Sequence, residues 1–143
     1  EDFARSHPGG ALGRKLLTHV SDVMRSGNEV PSVAPQADFG ALMREMSAKR
    51  LGTSAIVDGA GKVQGIFTDG DLRRRLEAGA DLRGATAAEL MHGNPRTIAP
   101  DALAVDAAAL METHGITSVL VVDATGVLVG MVHIGDLMRA KVI

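Results

Sequence analysis

The residues with the clearest chemical potential end an apolar stretch, Gly65-Ile66-Phe67-Thr68-Asp69-Gly70-Asp71-Leu72. Thr68 and Asp71 are three residues apart, so a strand end followed by a helix start would bring both side chains to the same edge. An aspartate in such a position can accept hydrogen bonds from two ribose hydroxyls, as it does in dinucleotide-binding folds. The free N–H groups and the dipole of a first helical turn favour a phosphate nearby. The stretch is therefore a candidate nucleotide cradle.

The same residues have a purely structural interpretation. Thr-x-x-Asp matches a capping box, in which the threonine oxygen accepts from a backbone N–H and the acidic side chain reaches back to the cap. A second copy, Gly130–Leu137, follows the first with an offset of 65 residues and keeps Asp136, but it has His133 in place of the hydroxyl. Capping alone does not explain why the aspartate is the shared residue. Both interpretations stay open, and the second copy is expected to bind a different ligand group or none.

Apolar periodicity predicts the elements that would position these two stretches. Phe39, Leu42, Met43 and Met46 follow the i, i+3, i+4, i+7 spacing of a helix with one buried face. Branched apolar residues on both sides of Asp58–Gly61 predict two strands joined by a turn. Each half is predicted to run short strand, helix, strand, strand, helix: a helix over 37–50, strands over 53–58 and 62–68 and a helix over 72–78, then Ile98, a helix over 102–114, strands over 118–123 and 127–133 and a helix over 134–140.

The sequence resembles a tandem pair of CBS domains. The resemblance rests on the two strand-turn-strand copies that end in glycine and aspartate, on the VVD before the second turn, and on the Met-ending segments Val20–Met24 and Ala87–Met91, whose offset is 67 residues. It implies an α+β (α/β) fold of two domains, residues 20–80 and 81–143, packed as a pseudo-twofold pair after a connector over residues 1–19. It also implies a regulatory module that binds adenosyl or other nucleotide ligands.

The resemblance also implies which residues line the ligand clefts. Thr68 would contact phosphate or ribose, and Asp71 would contact ribose. Of the arginines at 73–75, only Arg74 or Arg75 could meet a phosphate on the face of Asp71, because successive helical positions point in different directions. For the run as a whole, a solvated helix face is the favoured interpretation. A structural role is an equally good interpretation for the strand starts. The expected lining is Ser32, Val33, Gly52, Thr53, Ser54, Thr68, Asp69, Asp71, Arg74, Thr97, Ile98, Gly115, Thr117, Ser118, His133 and Asp136.

A second resemblance covers the opening of the chain. The string FARSHPGGALGRKLL followed by VSDVM is similar to the junction in sugar-phosphate isomerases of the arabinose-5-phosphate isomerase family, where a sugar isomerase (SIS) domain precedes a CBS pair. This implies a longer parent chain that interconverts ribulose 5-phosphate and arabinose 5-phosphate, at the entry to the lipopolysaccharide sugar Kdo. His7 would belong to the isomerase site of that parent. A lone histidine has no partner for proton transfer, so no catalysis is expected here.

The two resemblances together suggest a feedback ligand. The nucleotide sugar CMP-Kdo is the attractive candidate, and AMP or ATP are the generic alternatives; no cofactor is required. The expected partners are the SIS domain of the parent and further copies of the chain, dimerising through helices. The alternative function is an oligomerisation scaffold that binds no ligand.

Composition excludes several other function classes. A net charge of −2 and a pI of about 6.2 give no general attraction to nucleic acid or to an anionic membrane. There is no cysteine, and the only aromatic residues are three phenylalanines, so thiol chemistry and base stacking on rings have almost no support. The histidine spacings match no zinc signature. No apolar run approaches a membrane span, so a soluble, cytoplasmic protein is expected.

Overall fold

The computed structural model describes residues 16–143, and the elements within them confirm the predicted α+β class. Two three-stranded sheets are present, in the orders β1-β2-β3 and β4-β5-β6. No helix among the described residues is long and apolar enough to cross a membrane. In chain order the elements are α1 (Val20–Val23), a 3-10 turn (Gly27–Glu29), β1 (Ser32–Val33), α2 (Phe39–Lys49), β2 (Thr53–Val57), β3 (Val63–Thr68), α3 (Asp69–Glu77), α4 (Ala87–Leu90), β4 (Thr97–Ile98), α5 (Ala104–His114), β5 (Ser118–Val122), β6 (Leu128–His133) and α6 (Ile134–Arg139).

The chain forms two compact units, and each combines segments that are distant in sequence. Among the described residues, unit I consists of residues 27–96 with 125–128, and unit II of residues 16–26 with 97–124 and 129–143. Residues 20–26 therefore pack with the second sheet, while residues 81–96 pack with the first. The units therefore do not coincide with the predicted domains over residues 20–80 and 81–143. Those bounds describe the repeat along the sequence and stay a prediction.

Unit I is built on the sheet β1-β2-β3. Strand β1 is parallel to β2, and β2 is antiparallel to β3, with Thr53 opposite Thr68. Asp38 caps α2 by accepting a hydrogen bond of 2.8 Å from the N–H of Ala41. The buried cluster of this unit is made of Leu42, Met46, Ile56, Phe67, Leu82, Ala87 and Leu90.

Unit II repeats this arrangement with the sheet β4-β5-β6. Strand β4 is parallel to β5, with Thr97 opposite Leu120. Val20 of α1 is completely buried in this core, which explains why the start of the first repeat belongs to this unit. The buried cluster consists of Val20, Ala104, Ala107, Met111, Val119, Val121, Val132, Leu137 and Val142.

Each Met-ending segment is fastened to a strand by a pair of backbone hydrogen bonds. In unit II the N–H of Arg25 donates to the carbonyl of Met131 at 2.8 Å, and the N–H of Met131 donates back at 3.0 Å. In unit I His92 and Ile66 make the equivalent pair, at 3.0 and 3.1 Å. A Cβ atom at Gly130 would lie 2.5 Å from the sulfur of Met24 and 2.7 Å from the carbonyl oxygen of Arg25. The close approach therefore requires glycine.

We predict that Gly130→Ala destabilises the protein by about 1–3 kcal/mol, because the added methyl group forces the Met24 segment away from the strand. Gly59→Ala is the matched control, since a Cβ at Gly59 meets nothing within 4 Å. Urea denaturation followed by circular dichroism measures both. Equal midpoints for the two variants would show that the segment accommodates the methyl group.

Candidate ligand site

Thr68 and Asp71 form the capping box that joins β3 to α3. The Thr68 hydroxyl oxygen accepts from the N–H of Asp71 at 3.1 Å, and the N–H of Thr68 donates to Oδ2 of Asp71 at 2.9 Å. The structural interpretation of Thr-x-x-Asp is thus confirmed. It leaves the hydroxyl proton of Thr68 and part of the Asp71 carboxylate for other partners, so the capping box does not preclude a ligand.

Two cationic or potentially cationic side chains face Asp71. Nη2 of Arg74 lies 2.7 Å from Oδ1, and Nε2 of His92 lies 3.4 Å from Oδ2. The Asp71 side chain is 16% exposed. Its burial alone would raise the pKa of Asp71, but the hydrogen bonds from Arg74 and Thr68 and the charge of His92 together hold that pKa below its usual value. The carboxylate is therefore ionised at neutral pH and sits at the edge of the solvent.

The neighbouring turn brings two more predicted residues together. Gly52 has a φ of +70°, and its carbonyl accepts from the N–H of Asp69 at 2.9 Å. A Cβ at Gly52 would lie 2.9 Å from Oδ2 of Asp69, so the strand start and the helix start are in close contact. Thr53 and Ser54 follow on β2 but are buried, with hydroxyls that donate to the carbonyls of Phe67 and Ala55, respectively.

The remaining predicted residues of the first copy lie on β1. Ser32 and Val33 pair with Ala55 and Ile56 of β2, so their backbones line the parallel edge of the sheet. The N–H of Ser32 donates to Glu45 at 3.0 Å. The structure thus joins Thr68, Asp71 and Arg74 directly, joins Gly52 to Asp69, and uses the Thr53 and Ser54 hydroxyls internally.

A cavity of about 330 Å³ borders this region and contains residues that were not predicted. Arg50 is the most informative of them, because its φ of 62° is rare for a residue other than glycine. It caps α2 where the second copy has Gly115, and the 65-residue offset was the available signal for this difference. The cavity is lined by Met43, Met46, Ser47, Arg50, Gly52, Asp69 and Leu72.

The second copy has the same capping geometry but a different set of charges. His133 caps α6 through Nδ1, which accepts from the N–H of Gly135 at 3.0 Å, and the N–H of His133 donates to Oδ2 of Asp136 at 2.9 Å. Arg25 and Arg139 both bind the carboxylate of Asp136. Asp136 is buried, with a side chain 7% exposed. Arg25 was not among the predicted site residues.

The other predicted residues of the second copy surround β5. Thr97 and Ile98 form β4, and Gly115 ends α5 with a φ of 63°. The carbonyl of Thr117 accepts from the N–H of Ile134 at 2.8 Å. The hydroxyl of Ser118 is buried and has no hydrogen-bond partner among the described residues. Water or a ligand would satisfy such a group.

Comparison with known proteins identifies the family. Residues 20–78 and 87–143 each match the model of the CBS domain. The chain belongs to the CBS domain family. The predicted tandem of CBS domains is thereby confirmed.

Curated relatives match all or nearly all of the sequence. The arabinose 5-phosphate isomerases KdsD of Yersinia pestis and of Pseudomonas aeruginosa are 48% and 45% identical to this chain over 143 and 142 residues. The matches cover 100% and 99% of this chain but 43% and 44% of the relatives. The chain thus spans less than half of the length of these relatives. His7, which the resemblance places in the isomerase site, lies outside the described residues.

Solved structures of CBS proteins are similar to this chain in fold. A putative acetoin utilization protein (AcuB) of Vibrio cholerae is 27% identical, with a TM-score of 0.75 over 87% of this chain and 90% of that one. The CBS domain pair of protein MJ0100, in complex with 5-methylthioadenosine and S-adenosyl-L-methionine, is 25% identical, with a TM-score of 0.74 over 85% of this chain and 98% of that one.

In residues 16–143 of the present CBS pair, no group of three or more histidine or acidic residues could hold a metal ion.

The CBS pair contains one histidine whose titration the geometry makes predictable. Burial lowers the pKa of His133, and the charges of Arg25 and Arg139 lower it further against the opposing effect of Asp136. The neutral ring is also what the cap requires, because Nδ1 accepts a hydrogen bond. Because the folded state resists protonation of His133, the neutral ring stabilises the fold at pH values above about 6.5, the pKa of a histidine in the unfolded chain. This stabilisation is lost as the pH falls through the lower pKa that His133 has in the folded state.

We therefore predict that the urea midpoint of the protein falls more between about pH 7.5 and about pH 5.5 than that of His133→Asn. Asparagine keeps a neutral cap acceptor but does not titrate. Other titrating groups are common to both proteins and cancel in the difference. Parallel pH profiles would contradict this assignment.

Proposed function

We propose that this CBS pair is the regulatory part of a longer D-arabinose 5-phosphate isomerase and that it binds a nucleotide or nucleotide sugar in unit I. The similarity to KdsD proteins over the whole chain supports the parent, since the remainder of those relatives has room for a separate catalytic domain. The SIS domain of the parent, a cytoplasmic location and a place in the Kdo and lipopolysaccharide pathway follow from that parent and are part of the same proposal.

The Asp71 carboxylate carries the ligand proposal. It is ionised and partly exposed, and among the described residues its Oδ1 accepts only from Arg74. Ribose hydroxyls are suitable donors for the remaining acceptor positions. The Thr68 hydroxyl can donate to a phosphate or to ribose, and the nine-residue helix α3 directs its N-terminal dipole to the same point. This combination fits the sugar-phosphate part of a nucleotide.

The surrounding charges fit a phosphorylated ligand. Arg74 is exposed, and His92 is 55% exposed, so both can turn toward a phosphate while remaining near Asp71. The adenosyl ligands in the related MJ0100 pair support a nucleoside as the ligand class. CMP-Kdo is the specific candidate because it is the activated form of the sugar made downstream of the proposed parent, and AMP or ATP is the alternative.

The wider lining of the cleft is proposed from the family resemblance. Because the hydroxyls of Thr53 and Ser54 already donate to backbone carbonyls, these residues would act through shape and backbone. The backbones of Ser32 and Val33 would contact the base, and Gly52 would allow close approach to Asp69.

An apolar groove favours a second function, assembly of copies of the chain. The groove lies in unit II, has a volume of about 550 Å³ and is lined by Val105, Ala108, Ala109, Met111, Glu112, Ile116, Ile134, Val142 and Ile143. Ile143 and the nearby helical residue Met138 are largely exposed. Exposed apolar surface of this kind often marks an interface. Homo-oligomerisation through helices is therefore compatible with ligand binding and is also the leading function if no ligand binds.

Isothermal titration calorimetry of the 143-residue chain with CMP-Kdo, AMP, ATP and S-adenosylmethionine tests the ligand proposal. We predict heat with at least one of them, and a loss of affinity of about tenfold or more in Asp71→Asn, equivalent to about 1.4 kcal/mol. Asparagine keeps the size and a cap acceptor but loses the charge. Asp81→Asn is the control, because Asp81 is exposed and pairs with Arg83. No heat with any compound, or unchanged affinity in Asp71→Asn, would refute the proposal.

A further inference from the structure

The two copies place different residues opposite the capping aspartate. Arg25 follows the Met-ending segment of unit II, and His92 follows the equivalent segment of unit I, at the same 67-residue offset. Both are held in place by the same pair of backbone hydrogen bonds to a strand. The residue after the methionine therefore decides which side chain meets the carboxylate.

In unit II that side chain is a guanidinium that binds both carboxylate oxygens. Nε of Arg25 donates to Oδ2 of Asp136 at 3.1 Å, and Nη2 lies 2.9 Å from Oδ1. The guanidinium thus contacts both carboxylate oxygens, one through a hydrogen bond and the other through an ion pair. Arg25 is itself only 25% exposed. The pair is therefore shielded from water and from salt.

The other acceptor positions of Asp136 are also occupied. Arg139 donates to Oδ1, and the N–H of His133 donates to Oδ2. With the bond from Nε of Arg25, the carboxylate receives three hydrogen bonds, and Nη2 of Arg25 adds an ion-pair contact at 2.9 Å, so each of the roughly four lone-pair sites that it offers faces a donor group. A ribose hydroxyl would have to displace a charged donor from a buried anion.

Asp71 in unit I is more exposed than Asp136 and has a weaker contact opposite it. His92 contacts one oxygen at 3.4 Å and is more than half exposed, so a ligand can displace it without stranding a buried charge. The Asp71 side chain also has about twice the exposed fraction of Asp136. Thr68 offers a hydroxyl at the position where the second copy has the His133 ring.

We infer that Arg25 is an internal counter-ion that closes the second copy to hydroxyl-bearing ligands. Each chain then binds one nucleotide, at Asp71, and Asp136 instead fastens the segment that ends in Arg25 to unit II. The stoichiometry rests on the proposed function, whereas the fastening role does not.

Urea denaturation tests the fastening role without any ligand. Asp136→Asn should lower the midpoint clearly more than Asp71→Asn, because it leaves the partly buried Arg25 without its counter-ion. Arg25→Ala should likewise lower it more than His92→Ala. Similar midpoints within each pair would overturn the inference that Arg25 and Asp136 form a stabilising pair.

Calorimetry with AMP and with CMP-Kdo tests the closure. We expect one binding site per chain, both in the wild-type protein and in Asp136→Asn. His92→Arg places the closing residue opposite Asp71, so we expect it to lower the affinity at least tenfold. Two sites per chain, of which Asp136→Asn removes one, would overturn the closure, as would unchanged affinity in His92→Arg. Absence of binding to any nucleotide refutes the proposed function and with it the stoichiometry, while the denaturation result still decides the role of Arg25.

Discussion

The junction between strand and helix in each copy depends on one aspartate that binds back to the end of its strand. Asp71 accepts from the N–H of Thr68, and Asp136 accepts from the N–H of His133. The bond satisfies a donor that the helix start cannot use and fixes the direction of the helix. A charge held in this way must be balanced, and the two copies place different side chains beside it, His92 and Arg74 at Asp71 and Arg25 and Arg139 at Asp136.

The Met-ending segments determine which residue faces each aspartate, because each of them packs on a strand from the other half of the sequence. In each copy the methionine packs against a glycine that leaves no space for a side chain, and the next residue hydrogen-bonds through its backbone to a strand of the other half of the sequence. The side chain of that residue is then directed toward the aspartate. The histidine makes one contact of 3.4 Å and stays more than half exposed, whereas the arginine contacts both carboxylate oxygens and is largely buried. One position of the repeat therefore accounts for the different surroundings of the two aspartates.

The sequence predicted the elements well because their signals are local. The i, i+4 spacing around Leu42 and Met46 and the branched residues beside Asp58–Gly61 identify helices and strands without knowledge of the tertiary structure. The 65-residue offset supplied both capping aspartates. The pairing of Arg25 with Asp136 was missed because the residues are 111 positions apart, and a repeat shows which segments are alike but not which of them pack together. The alignment of Arg25 with His92 was the one available signal.

The most direct test of this account is a two-dimensional amide NMR titration of the assigned chain with AMP and with CMP-Kdo. We predict saturable shifts for the N–H groups of Thr68, Asp71 and His92, because the ligand replaces the His92 contact. We predict no comparable shifts for His133 and Asp136, whose hydrogen bonds stay within the protein. Equal saturation of both sets of amides, or shifts confined to the second set, would contradict the central claim that the two aspartates have different roles.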